Sequence, residues 1–137
     1  MKYSISEVVA ALRPLHHHLP LPDTVVSQLL TDSRSLTYPR ETLFFALRTG
    51  NADGHHYINT LYRQGVRNFV VDAPDTLPQG LHRMANVLVV DNTLDALQTL
   101  AADHRRRFRI PVVGITGSRG KTTVKEWLYE LLRDDCR

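Results

Sequence analysis

The chain has 137 residues, 42% of them hydrophobic and 23% charged, with a net charge of +3, a composition typical of a globular protein. No apolar run approaches the roughly 20 residues that cross a bilayer, and Glu7 lies where a secretory signal needs an apolar core. The single cysteine, Cys136, excludes an intrachain disulfide framework, so we expect a cytoplasmic protein with no membrane partner.

The first predicted helix begins after Ser4. Ser4 and Glu7 have the spacing of a capping box, and Arg13 ends the helix because it precedes Pro14. Between these ends, apolar residues recur at helical spacing: Ile5, Val8, Val9 and Leu12. The segment 15–23 follows and is predicted to be a surface loop. Its adjacent histidines, His16–His18, do not predict a metal site, because no cysteine or acid is spaced to complete one.

Three continuous apolar runs predict strands that are buried on both faces: 43–47, 68–72 and 87–90. A turn is predicted over 49–54, and a helix from about His55 to Gly65, with an apolar side formed by Tyr57, Ile58, Leu61 and Tyr62. Strands that alternate with helices indicate an α/β fold with a mostly parallel sheet.

The next predicted helix begins at Asn92 or Thr93, and an arginine cluster closes it. Its apolar face is predicted to contain Leu94, Leu97, Leu100, Ala101 and Phe108. The cluster, Arg105–Arg107 with Arg109, is typical either of a phosphate or nucleic-acid contact or of a helix end, where cations offset unpaired carbonyl groups. We favour the helix end and expect no nucleic-acid partner, because no aromatic residues are interleaved with the arginines.

The last part of the chain predicts a strand over 110–115, a glycine-rich turn over 116–120 and a helix from Lys121. Its apolar stripe is Val124, Trp127, Leu128, Leu131 and Leu132. Such a stripe needs a surface to cover it. The pattern therefore predicts one complete domain, followed by the opening strand, loop and helix of a second domain.

The strongest chemical signal is the segment Gly117–Thr123, which reads Gly-Ser-Arg-Gly-Lys-Thr-Thr. Glycines let successive N–H groups point at an anion, a lysine can reach the outer phosphates, and a threonine hydroxyl can ligate Mg²⁺. The general P-loop pattern is not met, because Ile115 stands where its first glycine belongs. The position between a predicted strand and helix nevertheless favours phosphate binding over an incidental turn.

A second polar region flanks the first apolar run. Thr31–Arg34 precedes that run, and the turn Asn51–His55 follows it. Each piece alone is more typical of an ordinary turn. Together they predict only a pair of polar loops beside a buried strand, at the edge where α/β sheets bind ligands.

These motifs, in this order and spacing, resemble the Mur ligases, ATP-dependent amide ligases that extend the peptide of a bacterial cell-wall precursor. The residues that carry the resemblance are Thr31-Asp32-Ser33-Arg34, Leu43-Phe44-Phe45-Ala46-Leu47, Asp53-Gly54-His55 and Gly114-Ile115-Thr116-Gly117-Ser118-Arg119-Gly120-Lys121-Thr122-Thr123. The resemblance implies a small substrate-binding domain with a mostly parallel sheet and flanking helices, residues 1–91. The truncated start of a central ATPase domain, its first helix, strand, P-loop and helix, would follow in residues 92–137.

The resemblance also implies site residues. The uridine nucleotide of the substrate would contact Thr31, Ser33, Gly50, Asn51 and Ala52, and ATP would contact Gly117, Ser118, Arg119, Gly120, Lys121, Thr122 and Thr123. Lys121 and Thr122 would take part in catalysis, with Thr122 holding Mg²⁺ through ATP. Arg119 departs from the family pattern, which usually has Asn or Ser there, and we expect it not to abolish ATP binding.

Within the family, Lys125-Glu126 after the loop is most similar to the member that adds D-alanyl-D-alanine to UDP-N-acetylmuramoyl-tripeptide through an acyl phosphate. The alternatives are the preceding ligase, which adds a diamino acid and usually reads Gly-Thr-Asn at 117–119, and a generic P-loop kinase. For this chain alone, which is expected to be inactive, a uridine-nucleotide-binding module is a further alternative.

Overall fold

The computed structural model describes residues 2–50 and 52–134, and it divides into two compact units, Met1–Arg107 and Phe108–Arg137. The strands of the first unit are β1 (Tyr3–Ser4), β2 (His16–His18), β3 (Val25–Val26), β4 (Gln28–Leu30), β5 (Thr42–Phe45), β6 (Arg48–Thr49), β7 (Ala52–Asp53), β8 (Asn68–Val71) and β9 (Asn86–Val89). Its α-helices are α1 (Ile5–Leu12), α2 (Ile58–Arg63), α3 (Leu81–Met84) and α4 (Thr93–Arg106), and the second unit contains α5 (Lys121–Leu132). In the described part of the chain, no helix is both long and apolar enough to span a membrane.

The centre of the first unit is a five-stranded sheet in the order β2-β9-β8-β5-β4. Neighbouring strands from β9 to β4 run parallel, and β2 at the edge runs antiparallel to β9. The α/β fold with a mostly parallel sheet is therefore confirmed. Because parallel strands end at the same edge, the loops that follow β4, β5 and β8 lie together there.

The sheet is buried on both faces, which explains its continuous apolar runs. Leu43 and Phe45 of β5 pack in a cluster with residues of α1 and α4, whereas Phe44 and Ala46 pack in a second cluster with residues of α2 and α3. Successive side chains of a strand point to opposite faces, so a strand between two helical layers needs apolar residues at every position.

Helix α1 begins and ends where its sequence signals place it. The Ser4 backbone N–H donates to the Glu7 carboxylate at 2.7 Å, and the Glu7 N–H donates to the Ser4 hydroxyl oxygen at 3.2 Å. Arg13 caps the other end with a φ of 47°, in the left-handed region. The capping box and the helix end before Pro14 are confirmed.

The prediction of a surface loop over 15–23 is wrong at His16–His18, which form the edge strand β2. Their side chains are exposed, and His16–His18 pairs with Val87–Val89 through the backbone. Backbone pairing needs no apolar side chain, so hydrophobic patterning does not detect such a strand. No cluster of metal-ligating side chains is present among the described residues.

Helix α4 begins after Asn92, whose side chain accepts hydrogen bonds from two N–H groups of the first turn. Its buried face differs from the predicted one: Thr93, Ala96 and Leu100 are buried and Leu97 is partly buried, whereas Leu94, Ala101 and Phe108 are exposed. The buried positions fall on the stripe that packs in the cluster with α1. The compact unit consequently extends to Arg107, beyond the boundary expected at residue 91.

In the second unit, residues 110–115 form no strand. A strand needs a partner for its N–H and C=O groups, and no strand partner is present among the described residues of this unit. The predicted helix is confirmed as α5. Its predicted apolar stripe is exposed at Val124, Trp127, Leu131 and Leu132.

Candidate functional site

A cleft of about 600 Å³ lies at the carboxyl edge of the sheet. Its walls come from the loop that follows β4 and from the segment that follows β5. The lining residues are Thr31, Asp32, Ser33, Arg34, Leu47, Thr49, Ala52, Gly54 and Tyr57. The two polar regions that flank the first apolar run in sequence therefore form one concave surface.

The cleft brings together three of the residues predicted to contact a uridine nucleotide, Thr31, Ser33 and Ala52. Strands β6 and β7 form a hairpin, and Gly50 lies between them. A Cβ added at Gly50 would meet no atom of the described residues within 4 Å, apart from its chain neighbours. Asn51, the fifth, lies outside the described residues.

Asp32 and Arg34 form an ion pair on one wall of the cleft. The Arg34 guanidinium donates to Asp32 Oδ2 at 2.7 Å, and the Arg34 backbone N–H donates to Asp32 Oδ1 at 3.0 Å. These hydrogen bonds lower the pKa of Asp32 to about 2, and those from the Arg34 side chain have the largest effect. The pair therefore supplies the cleft with an oriented cation whose partner stays ionised.

The opposite wall is a short hairpin in which Arg48 pairs with Asp53 and Thr49 pairs with Ala52. The hairpin ends at Gly54, whose N–H donates to the Leu47 carbonyl at 2.8 Å. A Cβ at Gly54 would lie 2.8 Å from the Leu47 nitrogen and 2.9 Å from two backbone atoms of Ala46. Only glycine permits this approach, which explains the residue between Asp53 and His55.

Behind the hairpin lies a buried polar group centred on His55, whose side chain is 1% exposed. His55 Nδ1 lies 2.6 Å from Asp53 Oδ1, and its Nε2 accepts a hydrogen bond from the Asp72 N–H at 3.4 Å. The Thr93 hydroxyl lies 3.3 Å from Asp72 Oδ2 and 3.1 Å from the Ala46 carbonyl oxygen. The group thus joins the hairpin to the ends of β5 and β8 and to the start of α4.

Two carboxylates in this group share one guanidinium. Arg48 Nε lies 3.3 Å from Asp53 Oδ2 and 3.5 Å from Asp72 Oδ1. Burial acts to raise the pKa of Asp53, but hydrogen bonds from the backbone and ring of His55, with the charge of Arg48, lower it overall. Asp53 is therefore held in its ionised form.

The residues predicted to form a phosphate loop, Gly117–Thr123, lie in the second unit, in the segment that leads into α5. Gly117 and Gly120 have φ values of 145° and 78°, so the glycine-rich turn that the sequence predicted is present. Gly120 is the N-cap residue of α5, and no side chain of the described residues caps this helix end, which leaves the N–H groups of the first turn available to a ligand. The Lys121 ammonium donates to the Gly117 carbonyl, so it lies across the loop.

This local arrangement suits a phosphate. Unpaired N–H groups and the positive end of the helix dipole meet at Gly120, and a cation lies beside them. Thr122 and Thr123 occupy the first turn of α5 and are exposed. The N–H groups and the lysine could therefore hold the phosphates of a nucleoside triphosphate, and a threonine hydroxyl could ligate its Mg²⁺.

Sequence reasoning missed part of the site. Leu47, Thr49 and Tyr57 also line the cleft, and Asp72 and Thr93 complete the buried group. Asp72 was predicted only as the end of a strand. The sequence did carry one usable signal: Asp72 ends a predicted parallel strand. Residues at the carboxyl ends of neighbouring parallel strands lie at the same edge of the sheet, which is the edge where the hairpin lies.

Comparison with known proteins gives a family match and close relatives. Residues 25–105 match the family model described as Mur ligase family, catalytic domain. The chain is 40% identical over 110 residues to the UDP-N-acetylmuramoyl-tripeptide–D-alanyl-D-alanine ligase of Synechocystis, covering 80% of this chain and 23% of the relative. It is 31% identical over 112 residues to the UDP-N-acetylmuramoyl-L-alanyl-D-glutamate–2,6-diaminopimelate ligase of Parabacteroides distasonis, covering 79% of this chain and 22% of that protein.

Solved structures agree with the sequence relatives. MurF from Acinetobacter baumannii superposes with a TM-score of 0.83 at 27% identity, covering all of this chain and 28% of that one. MurF ligase from Thermotoga maritima, in complex with ADP, superposes with a TM-score of 0.64 at 29% identity, covering 80% of this chain and 24% of that one. The chain thus spans about a quarter of the length of the relatives it matches.

Proposed function

The chain belongs to the Mur ligase family, and we propose that it is the amino-terminal part of an ATP-dependent ligase that adds D-alanyl-D-alanine to UDP-N-acetylmuramoyl-tripeptide. Two relatives carry this activity in their names, which supports the proposed reaction. The chain covers about a quarter of each relative, which supports its assignment as one part of a longer enzyme. We also propose that the enzyme is cytoplasmic, which the single cysteine supports. On this account the chain by itself does not turn over.

The observation that carries the proposal is the cleft at the carboxyl edge of the sheet. It gathers Thr31, Ser33 and Ala52, three of the five residues that the family resemblance assigns to the uridine nucleotide, from two loops that are separate in sequence. We place the uridine nucleotide there. Arg34, on the same wall, supplies a cation for the negative charge of a nucleoside diphosphate.

We assign residues 92–137 to the start of the ATP-binding domain and residues 1–91 to the substrate domain, although α4 packs with the first unit. Within residues 92–137, Gly117–Thr123 binds the phosphates of ATP through its N–H groups. Lys121 neutralises charge on the transferring phosphoryl group, and the Thr122 hydroxyl holds Mg²⁺. The uncapped first turn of α5 and the lysine that crosses the loop support these roles.

The chemistry follows from the weak reactivity of a carboxylate, which an amine does not attack in water. ATP, when bound, would supply the γ-phosphoryl group that converts the substrate carboxylate into an acyl phosphate, with ADP as the leaving group. The amine of D-alanyl-D-alanine then attacks the acyl carbon and phosphate leaves, so one ATP is consumed for each amide formed. The contribution of this chain is to bind the two nucleotides and to stabilise charge during transfer.

The second candidate is the diaminopimelate-adding ligase, which the Parabacteroides relative favours. Ser118 and Arg119 oppose it, because that ligase usually carries Thr and Asn at these positions. For the chain alone, a uridine-nucleotide-binding module without catalysis remains the simplest role.

Two measurements test the proposal. The chain should bind UDP and UDP-N-acetylmuramoyl-tripeptide in calorimetry, with uridine competing and adenosine not competing. The longer enzyme that contains this chain should release phosphate from ATP with UDP-N-acetylmuramoyl-tripeptide and D-alanyl-D-alanine. Phosphate release that instead requires UDP-N-acetylmuramoyl-dipeptide and a diamino acid would support the second candidate.

A further inference from the structure

The hairpin that forms one wall of the cleft is not part of the five-stranded sheet. Strands β6 and β7 pair only with each other among the described residues, and each contains two residues. An isolated pair of such short strands has little stability of its own. Contacts outside the pair must therefore hold the hairpin in place.

His55 supplies a contact of this kind. Its ring lies between Asp53, the last residue of β7, and Asp72, the residue after β8. A carboxylate oxygen can only accept, so Nδ1 carries the proton at the 2.6 Å contact with Asp53, and Nε2 is left to accept from the Asp72 N–H. The ring therefore joins the end of the hairpin to the backbone of the neighbouring parallel strand.

Arg48 joins the first strand of the hairpin to the same place. Its Nε lies within ion-pair distance of both Asp53 and Asp72, at 3.3 and 3.5 Å. Asp72 Oδ1 is buried and has no hydrogen-bond partner in the described part of the chain, so its stabilisation depends on the nearby Arg48 guanidinium. His55 and Arg48 thus tie both hairpin strands to the end of β8.

We propose that His55 is a positioning residue for the uridine-nucleotide site. It holds the hairpin that carries Gly50 and Ala52 against the carboxyl edge of the sheet, and this orders the wall of the cleft before the nucleotide binds. The inference rests on the proposed function for the nucleotide, but the positioning of the hairpin can be measured without any ligand.

The experiment compares the full chain with His55→Ala, His55→Asn and His56→Asn. The alanine variant removes both contacts, and the asparagine variant keeps a group that can reach Asp53. His56 is the exposed neighbour in the same turn and provides the matched control. The first readout is amide hydrogen exchange at Gly54, which bonds the Leu47 carbonyl, against amides within β5 and β8. The second readout is the dissociation constant for UDP.

We expect His55→Ala to speed exchange at Gly54 about tenfold and to weaken UDP binding by a similar factor, the effect of losing roughly one hydrogen bond. Amides of β5 and β8 should keep their protection, His55→Asn should recover part of both effects, and His56→Asn should change neither. Unchanged exchange at Gly54, or equal loss of protection throughout the sheet, would overturn the positioning role.

The ligand arm separates the two proposals. If the unaltered chain does not bind UDP, the uridine site is wrong, and the exchange measurement still decides whether His55 holds the hairpin. If UDP binds and His55→Ala loosens Gly54 without changing the dissociation constant, His55 serves the fold alone and its role in the site is refuted.

Discussion

The Arg107 guanidinium lies 3.8 Å from the centre of the Tyr3 ring, at the point where α4 ends. The same arginine pairs with Glu7 at 3.2 Å and with Asp103 at 3.4 Å, and the Tyr3 hydroxyl donates to Asp103 Oδ2 at 2.9 Å. This group connects α1 and β1 to the last turn of α4. It gives a physical reason for the compact unit to extend to Arg107.

Replacing Arg107 should therefore destabilise the first unit. We expect Arg107→Ala to lower the free energy of unfolding measurably, because a cation–π contact with Tyr3 and partly exposed ion pairs with Glu7 and Asp103 are lost. Arg106→Ala, at an exposed position in the same helix end, is the control and should have little effect. Urea denaturation of both variants checks this, and equal effects would contradict a specific role for Arg107.

The side chains of Asn68 and Asn86 form a buried polar pair in the sheet, and we expect this pair to contribute more to the stability of the fold than Arg107 does. Asn86 Nδ2 donates to Asn68 Oδ1 at 2.8 Å and to the Leu21 carbonyl at 2.8 Å, and its Oδ1 accepts from the Leu21 N–H at 3.0 Å. Asn86→Ala removes the donor to the buried Asn68 Oδ1 and both hydrogen bonds to the part-buried Leu21 backbone, and we expect a loss of about 2–3 kcal/mol in the free energy of unfolding. Asn59→Ala, at an exposed position, should stay within about 0.5 kcal/mol of the unaltered chain. A similar loss in both variants would argue against the pair.

Gly54 provides a test of the packing behind the cleft. We expect Gly54→Ala to cost about 1–3 kcal/mol, because its Cβ would overlap the backbone at Ala46 and Leu47. Gly50→Ala meets no such obstacle and serves as the control in the same hairpin. Thermal unfolding of the two variants compares them directly. A Gly54→Ala variant as stable as the control would mean that the hairpin can move away from β5 at little cost.

The depressed pKa of Asp53 predicts a pH dependence. A carboxyl group whose pKa is lower in the folded state stabilises the fold above its unfolded pKa, about 3.9, and this stabilisation is lost as the pH falls through the folded value. Asp53→Asn should therefore lose less stability than the unaltered chain between pH 7 and pH 3, measured by denaturation at each pH. Parallel curves for the two proteins would refute the contribution.

The sequence predicts the sheet better than its edges. Strands β5, β8 and β9 were predictable because helices cover both faces and force continuous apolar runs. Strand β2 was not, since His16–His18 pairs through its backbone and leaves its side chains exposed. The predicted strand over 110–115 is absent for the opposite reason: its apolar pattern has no partner strand among the described residues of the second unit.

The candidate site was predictable only where its residues are close in sequence. Asp53, Gly54 and His55 form one recognisable motif, and Gly117–Thr123 forms another. Asp72, which follows His55 by 17 positions, reaches the same group only through the pairing of β8 with β5. No local pattern announces a contact that depends on the register of two strands.

The phosphate loop separates backbone from side-chain contributions. In the longer ligase that we propose, Lys121→Met should lower the rate of phosphate release by about 10²-fold or more, because the charge opposite the transferring phosphoryl group is lost. Arg119→Asn should leave ATP affinity within about threefold, since backbone N–H groups make the loop's contacts. Steady-state kinetics and nucleotide titration check the pair. An Arg119→Asn change that creates otherwise absent ATP binding would contradict this account of the loop.

The most direct test of the proposed ligase measures phosphate release from ATP by the longer enzyme that we propose. The assay contains Mg²⁺ and UDP-N-acetylmuramoyl-tripeptide. The account predicts release that requires D-alanyl-D-alanine and yields one phosphate for each amide formed. Absence of release with any muramoyl peptide acceptor, from an enzyme that is folded and binds ATP, would contradict the ligase proposal.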